Sequence, residues 1–159
     1  MPIGKNMKSI NFLGIIVMVL GIIGIGIGGA FFGIGLAKNQ LIVDRMNVEK
    51  VSLAVDPNNP SVYTQINNAT DAQKAADTIA KHRRGIAPTY QDLLAGGKFD
   101  STNATHLTYA QAMNLENYLY MAVTAFGLIQ VAEATGGFMI LAGLALAVTG
   151  FALIRVGKV

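Results

Sequence analysis

Charged residues leave two long apolar segments of the chain uninterrupted. No charged residue stands between Lys8 and Lys38, and none stands between Glu133 and Arg155. A helix needs about 20 apolar residues to cross the hydrocarbon core of a bilayer. The first gap is longer than this and the second just meets it. The pattern therefore predicts two transmembrane helices, at residues 10–36 and 136–154.

Glycines recur every seven residues in both apolar segments. Seven residues return a helix almost to the same angle, with a drift of about 20° per repeat, so each series lies along one helix face. Such a face lets another helix approach closely in lipid. We expect helix packing through these glycines, with Gly24 beside the first series. The series are Gly14, Gly21, Gly28 and Gly35, then Gly136, Gly143, Gly150 and Gly157.

Two packing partners are open for these glycine stripes. Each helix packs either on the other helix of the same chain or on neighbouring copies in a ring or filament. If the stripes join subunits, Gly28→Leu or Gly143→Leu breaks assembly and leaves membrane insertion intact.

The region between the spans shows the patterns of a small α or α+β domain. Residues 48–55 and 61–66 are strand-like and flank a turn signal at 56–60, which predicts a hairpin. A helix at 72–84 is expected, with Thr70 or Asp71 as its N-cap and Gly85 as the C′ residue. A short helix opens at Pro88-Thr89, runs through Leu94 and stops at Gly96-Gly97.

A capping box of Thr108 and Gln111 predicts the start of a long helix that runs unbroken to Ile154. Its first part is apolar and precedes the second span as a stalk. The alternative for that part is a third, short crossing that turns at residues 134–137. We favour the stalk, because the segment is short and polar for a crossing.

These elements predict a mainly α membrane protein. Two glycine-rich transmembrane helices hold a small extracytoplasmic domain, and the second helix continues the stalk. The expected organisation is a cytoplasmic tail at 1–9, a transmembrane helix at 10–36, the extracytoplasmic domain at 37–107, the stalk or interfacial helix at 108–135, the second transmembrane helix at 136–154 and a cytoplasmic tail at 155–159.

Basic residues at both ends of the chain predict the orientation. Lys5 and Lys8 flank the first span, Arg155 and Lys158 flank the second, and neither tail carries an acid. Both tails are therefore expected in the cytoplasm of a multi-pass plasma-membrane protein. A cleaved signal peptide is the alternative for the first segment, but its apolar core exceeds the usual 7–15 or so residues of such signals.

Composition supports a membrane protein and excludes several kinds of chemistry. The chain is 52% hydrophobic and 13% charged, and its net charge of +3 forms no long basic run. Membrane lipid is therefore an expected partner and nucleic acid is not. The absence of cysteine excludes disulfides, thiolate metal sites and cysteine nucleophiles.

The run GIGIGG at residues 24–29 resembles the glycine-rich first helix of rotor-ring proteolipid subunits. Those subunits are two-helix hairpins with a carboxylate in the second helix, the place that Glu133 would take. They have a short polar loop where this chain has a whole domain, and Glu133 stands at the edge of its span. The resemblance implies close helix packing and does not extend to the family assignment.

Candidate chemistry is sparse. His82, Arg83 and Arg84 are expected to complement a helix C-terminus, and an anion or lipid headgroup is their alternative partner. Glu116 and Glu133 are carboxylates near the expected membrane edge. His82 and His106 lack metal-ligand spacing, so we expect no metal, although Glu116 or Asp92 could complete a site. Asn68 and Asn103 begin glycosylation triplets.

No motif marks a nucleophile, an acid–base pair, a cofactor or a nucleotide site, so an enzyme is the least favoured class. The expected function is a non-catalytic structural, assembly or accessory subunit of a membrane complex or homo-oligomer. The alternatives are an oligomeric pore or ring, and an extracytoplasmic module that binds an anion or lipid through residues 82–84.

Overall fold

A computed structural model describes residues 3–56 and 59–158 of the chain, with side chains at 8–51 and 64–158. The described chain is mostly helical. Its elements are α1 (Ile3–Val48), β1 (Ser52–Asp56), β2 (Asn59–Gln65), α2 (Ala69–Ile86), α3 (Tyr90–Leu94) and α4 (Ala104–Val156).

The chain forms two compact units, which we call the helical pair and the domain. The helical pair contains the chain up to Lys38 and from Ile129 onward, and the domain is Asn39–Leu128. The domain therefore includes the last turns of α1 and the first half of α4, besides the hairpin, α2 and α3. The sequence predicted a first boundary at 36/37 and a stalk at 108–135.

Both long helices are long and apolar enough to cross a membrane. The most apolar 18-residue windows of α1 and α4 have mean hydropathies of 2.6 and 2.3, and only 11% of each window is buried. An apolar helix inside a soluble protein is buried by its neighbours, whereas a membrane span can face lipid. The low burial therefore makes both helices candidate membrane spans rather than core helices.

The two glycine stripes lie against each other in the helical pair. A Cβ added to Gly21 would stand 2.6 Å from the carbonyl oxygen of Gly143 and 2.5 Å from the amide nitrogen of Ala147. The same relation joins Gly28 to Gly136, whose carbonyl oxygen lies 2.7 Å from the added atom. Gly14 likewise lies against Gly150. The helices are thus antiparallel, and the backbone of one occupies the space that side chains would need on the other.

Several other glycines of α1 whose surroundings are described do not take part in this contact. Gly26, Gly29 and Gly33 have no atom of another part of the chain within 4 Å of an added Cβ. Gly24 lies at the margin of the contact, because a Cβ added to it would be 3.5 Å from the Cα of Gly143. The seven-residue spacing therefore separates the glycines that the helical pair uses from those that it leaves open.

Small residues on α2 let it pack closely in the domain. Ala72, Ala75, Ala76 and Ala80 are buried on one face of α2. The first three share a core with Leu119, Ala122 and Phe126 of α4, and Ile66 completes it. The predicted hairpin is confirmed as an antiparallel pair of β1 and β2, with Leu53 opposite Thr64. Its predicted turn lies partly outside the described residues.

The end of α1 differs from the prediction. Val48, expected to open a strand, is the last residue of α1, and β1 begins only at Ser52. Lys50 adopts a left-handed conformation with φ 53°. This lets Val51 donate to the Met46 carbonyl at 2.9 Å and Lys50 donate to the Asn47 carbonyl at 3.1 Å. The pattern is a Schellman motif, which glycine usually marks and lysine here does not.

Two asparagines begin helices where the sequence indicated other residues. Asn68, not Thr70 or Asp71, caps α2 by accepting from the Asp71 amide. Asn103 accepts from the amides of Thr105 and His106 at the start of α4. The predicted capping box at Thr108 is therefore wrong, and the Thr108 hydroxyl donates to the Ala104 carbonyl inside the helix.

Other helix ends were predicted with mixed success. The short helix is confirmed, with Thr89 and Asp92 forming its capping box. Gly85 is wrong as the C′ residue, since it lies within α2 and Ala87 is the C-cap. The unbroken long helix is confirmed, because α4 runs from Ala104 to Val156. A third crossing that turns at 134–137 is excluded by the same continuity.

We predict that Gly21→Leu separates the two helices of the helical pair. Its side chain would overlap the backbone of α4, a kind of overpacking that costs about 1–3 kcal/mol. Spin labels at cysteines placed at Ser9 and Arg155 would report a longer and broader distance. The chain contains no cysteine of its own to remove for this measurement.

Gly26→Leu is the matched control, since it makes the same change on the same helix where nothing lies within 4 Å of an added Cβ. It should leave the distance unchanged. Equal distances in the two variants would contradict the close contact at Gly21.

Candidate functional site

The best-defined polar cluster of the described chain is a buried ion pair in the domain. Arg83 of α2 donates from Nε to Oε2 of Glu116 on α4 at 2.7 Å. Their side chains are only 11% and 9% exposed. The Glu116 hydrogen bond raises the pKa of Arg83, which is charged at all relevant pH values. The pair therefore joins α2 to α4 as two opposite charges that water hardly reaches.

Aromatic rings complete the surroundings of this ion pair. The guanidinium of Arg83 lies 5.0 Å from the ring centroid of Tyr109 and also donates to the Tyr109 hydroxyl. Tyr109 is fully buried, and the ring of Tyr90 lies 6.3 Å from it. Arg83 thus has two polar partners within the domain and a cation–π contact. These contacts use three of the five N–H donors of the guanidinium, so most of its hydrogen bonding is internal to the domain.

The structure does not gather His82, Arg83 and Arg84 into one site. Arg83 is directed to Glu116, whereas His82 and Arg84 are exposed. Their position near the end of α2 agrees with the expected complement to the helix dipole. Glu116, expected as a carboxylate near the membrane edge, is the internal partner of Arg83.

The two histidines, His82 and His106, do not form a shared metal site in the described part of the chain. Nδ1 of His106 accepts from the backbone amide of Asp100 at 3.0 Å, and its ring lies 5.5 Å from that of Phe99. Among the described residues, no group of three histidine, aspartate or glutamate side chains could hold a metal ion. His106 therefore organises the loop before α4.

Glu133 lies against Gly35 in the helical pair. Its Cγ would be 2.6 Å from a Cβ at Gly35, so the missing side chain makes room for the glutamate. Oε1 of Glu133 is buried and has no hydrogen-bond partner among the described residues. Gly35 thus serves a different contact from the other glycines of its series, which face the backbone of α4.

Few polar groups interrupt the apolar part of the helical pair. The Thr149 hydroxyl donates to the Ala145 carbonyl at 2.8 Å in its own helix. Oδ1 of Asn11 is buried without a partner in the described part of the chain. A pore needs a polar stripe toward its lumen, and these two side chains do not form one by themselves.

A groove with a volume of about 600 Å³ opens on the domain. We call it the α1–α4 groove. Apolar side chains from the end of α1 and from α4 form most of its lining, and one base and one acid join them. The lining residues are Arg45, Met46, Glu49, Val51, Leu115, Tyr118 and Leu119. No sequence pattern predicted this groove, because it depends on where α1 ends and how α4 packs beside it.

One face of α4 in the domain exposes large apolar side chains. Tyr118 is 69% exposed, Met121 66% and Leu128 67%, and Leu115 beside them is 39% exposed. We call these four residues the α4 apolar face. Large exposed apolar patches are uncommon on soluble monomers and often serve as interaction surfaces.

The two glycosylation triplets coincide with helix starts. Asn68 uses both side-chain atoms locally: Oδ1 accepts from the Asp71 amide and Nδ2 donates to the Asp71 carboxylate. Asn103 likewise caps α4. The physical requirement for an N-cap therefore accounts for asparagine at both positions.

No family model, curated protein or solved structure compared with this chain matches it.

We predict that Arg83→Met strongly destabilises the domain. It would leave the Glu116 carboxylate buried without its partner, and breaking such a pair costs about 3–5 kcal/mol. Hydrogen exchange of the α2 amides in detergent would show the loss as faster exchange.

Arg84→Met is the matched control, because the adjacent side chain is exposed and such surface changes stay within about 0.5 kcal/mol. Wild-type exchange in Arg83→Met would show that the pair does not hold α2 to α4.

Proposed function

We propose that this chain is a non-catalytic membrane protein that serves as a structural, assembly or accessory subunit of a membrane complex or homo-oligomer. The observation that carries the proposal is the α4 apolar face of the domain. Its side chains are as exposed as those that would contact lipid, yet they belong to a domain with its own core. A partner that covers this face would remove it from water.

The helical pair supports the role of an anchor in this proposal. Its two helices are candidate membrane spans, and their glycine stripes contact each other. Those stripes are therefore not available to neighbouring subunits, and Gly28→Leu or Gly143→Leu would disturb the chain's own packing first. If glycines assemble subunits in lipid, Gly26, Gly29 and Gly33 are open for this within residues 8–48 of α1.

The proposed setting is the plasma membrane. Basic tails at both ends favour a cytoplasmic location for both termini, which puts the domain outside the cell. A ring or pore receives no specific support from the described polar side chains. The anion-binding alternative loses one of its three residues to the internal ion pair.

We predict that Met121→Lys combined with Leu128→Lys abolishes assembly. Two charges on the α4 apolar face would have to be desolvated by any partner, so the complex should dissociate. A native gel of protein gently extracted from its own membrane would show a shift to the mass of the single chain.

Gln91→Lys is the control, since it adds a charge at an exposed polar position of the domain on α3, outside the α4 apolar face. It should keep the wild-type complex. A wild-type complex in the double variant, with membrane insertion intact, would contradict a role for this face.

A further inference from the structure

The rim of the α1–α4 groove carries two opposite charges. Arg45 lies in the last turn of α1, and Glu49 follows it by four residues. Both side chains are exposed, and within the described part of the chain neither forms an ion pair. Each is therefore free to pair with a charge on another molecule that reaches the groove.

We propose that two copies of this chain dimerise through the α1–α4 groove. In a two-fold arrangement, Arg45 of each copy pairs with Glu49 of the other, and Tyr118 of each enters the other's groove. This inference rests on the proposed function, because it names a second copy as the partner that covers part of the domain.

The charges make the groove complementary to itself. In a two-fold interface, a residue that contacts a second residue of the other copy receives the same contact in return. One base and one acid at the same rim satisfy this rule twice in a single dimer. A rim with a single sign of charge would instead repel its own copy.

The shape of the surface is also complementary to itself. Tyr118 lines the groove and is 69% exposed, so the surface presents an aromatic side chain next to an apolar depression. Tyrosine is enriched at the centres of interfaces, where its ring is buried and its hydroxyl can still find a partner. The floor for that ring is Val51, Leu115 and Leu119.

A lipid chain or an unrelated protein would account for fewer features of the groove than a second copy does. An acyl chain would use the apolar floor but has no charge for Arg45 or Glu49, which only a lipid headgroup could supply. An unrelated protein would need its own matching pair of charges, whereas a second copy brings that pair with it. Charge complementarity therefore favours the second copy.

Charge reversal in the full-length protein tests the dimer. R45E gives the rim two acids, and E49R gives it two bases. Each variant alone should dissociate at least about tenfold more readily than the wild type in native mass spectrometry from lipid nanodiscs, because like charges would face each other. Y118A should weaken the dimer as well.

Mixing the two variants provides the decisive comparison. An acidic rim facing a basic rim is attractive, so R45E and E49R chains should form a mixed dimer with about wild-type affinity. The double variant R45E/E49R should also dimerise with itself. K81E is the control, because it reverses an exposed charge on α2, which does not line the groove.

The outcomes separate this inference from the proposed function. A dimer that ignores the charge reversals, or a mixture that stays unpaired, overturns the groove interface. A complex with a different protein and no second copy overturns the dimer and keeps the accessory-subunit proposal. A wild-type chain that is monomeric in its own membrane and in nanodiscs overturns both.

Discussion

Close contact between two helix backbones is the constraint on which the helical pair depends. Lipid provides no hydrophobic drive between helices, so the contact must come from tight packing. Glycine every seventh residue gives that packing: the carbonyl oxygens of Gly136 and Gly143 stand within 2.7 Å of where the side chains of Gly28 and Gly21 would begin. Glycine, which has no side chain, therefore occupies the positions where the helices meet. In a bilayer, the cost of glycine in a helix is tolerated because the backbone has to satisfy its hydrogen bonds internally.

The domain packs its helices through alanine and larger apolar side chains rather than through glycine. Alanine rather than glycine forms the close face of α2, and Leu119 and Phe126 of α4 supply the bulk. A domain of this size without disulfides gains only a small free energy of unfolding from its core alone. The Arg83–Glu116 pair adds a second kind of contact, whose loss would be severe even if its net contribution to stability is small. We therefore expect its main effect to be on which face of α2 meets α4.

Local patterns in the sequence predicted the elements better than their ends. The two apolar helices, the hairpin and the short helix that opens at Pro88-Thr89 follow from periodicity and turn residues that are adjacent in the chain. The end of α1 was missed because Lys50 takes the left-handed conformation that glycine would have signalled. The starts of α2 and α4 were missed because Asn68 and Asn103 compete with nearby threonines as caps. The partner of Arg83 was missed because Glu116 lies 33 residues away, and only tertiary packing brings them together.

The two units have different roles. The glycine stripes pack within the chain itself, and the surface that remains for other molecules is apolar and lies on the domain. Native mass spectrometry of the unmodified protein, gently extracted from its own membrane, tests this most directly. We expect a complex of fixed stoichiometry, either with a second copy or with other polypeptides. A single chain that carries only lipid, under conditions that preserve other membrane complexes, would contradict it.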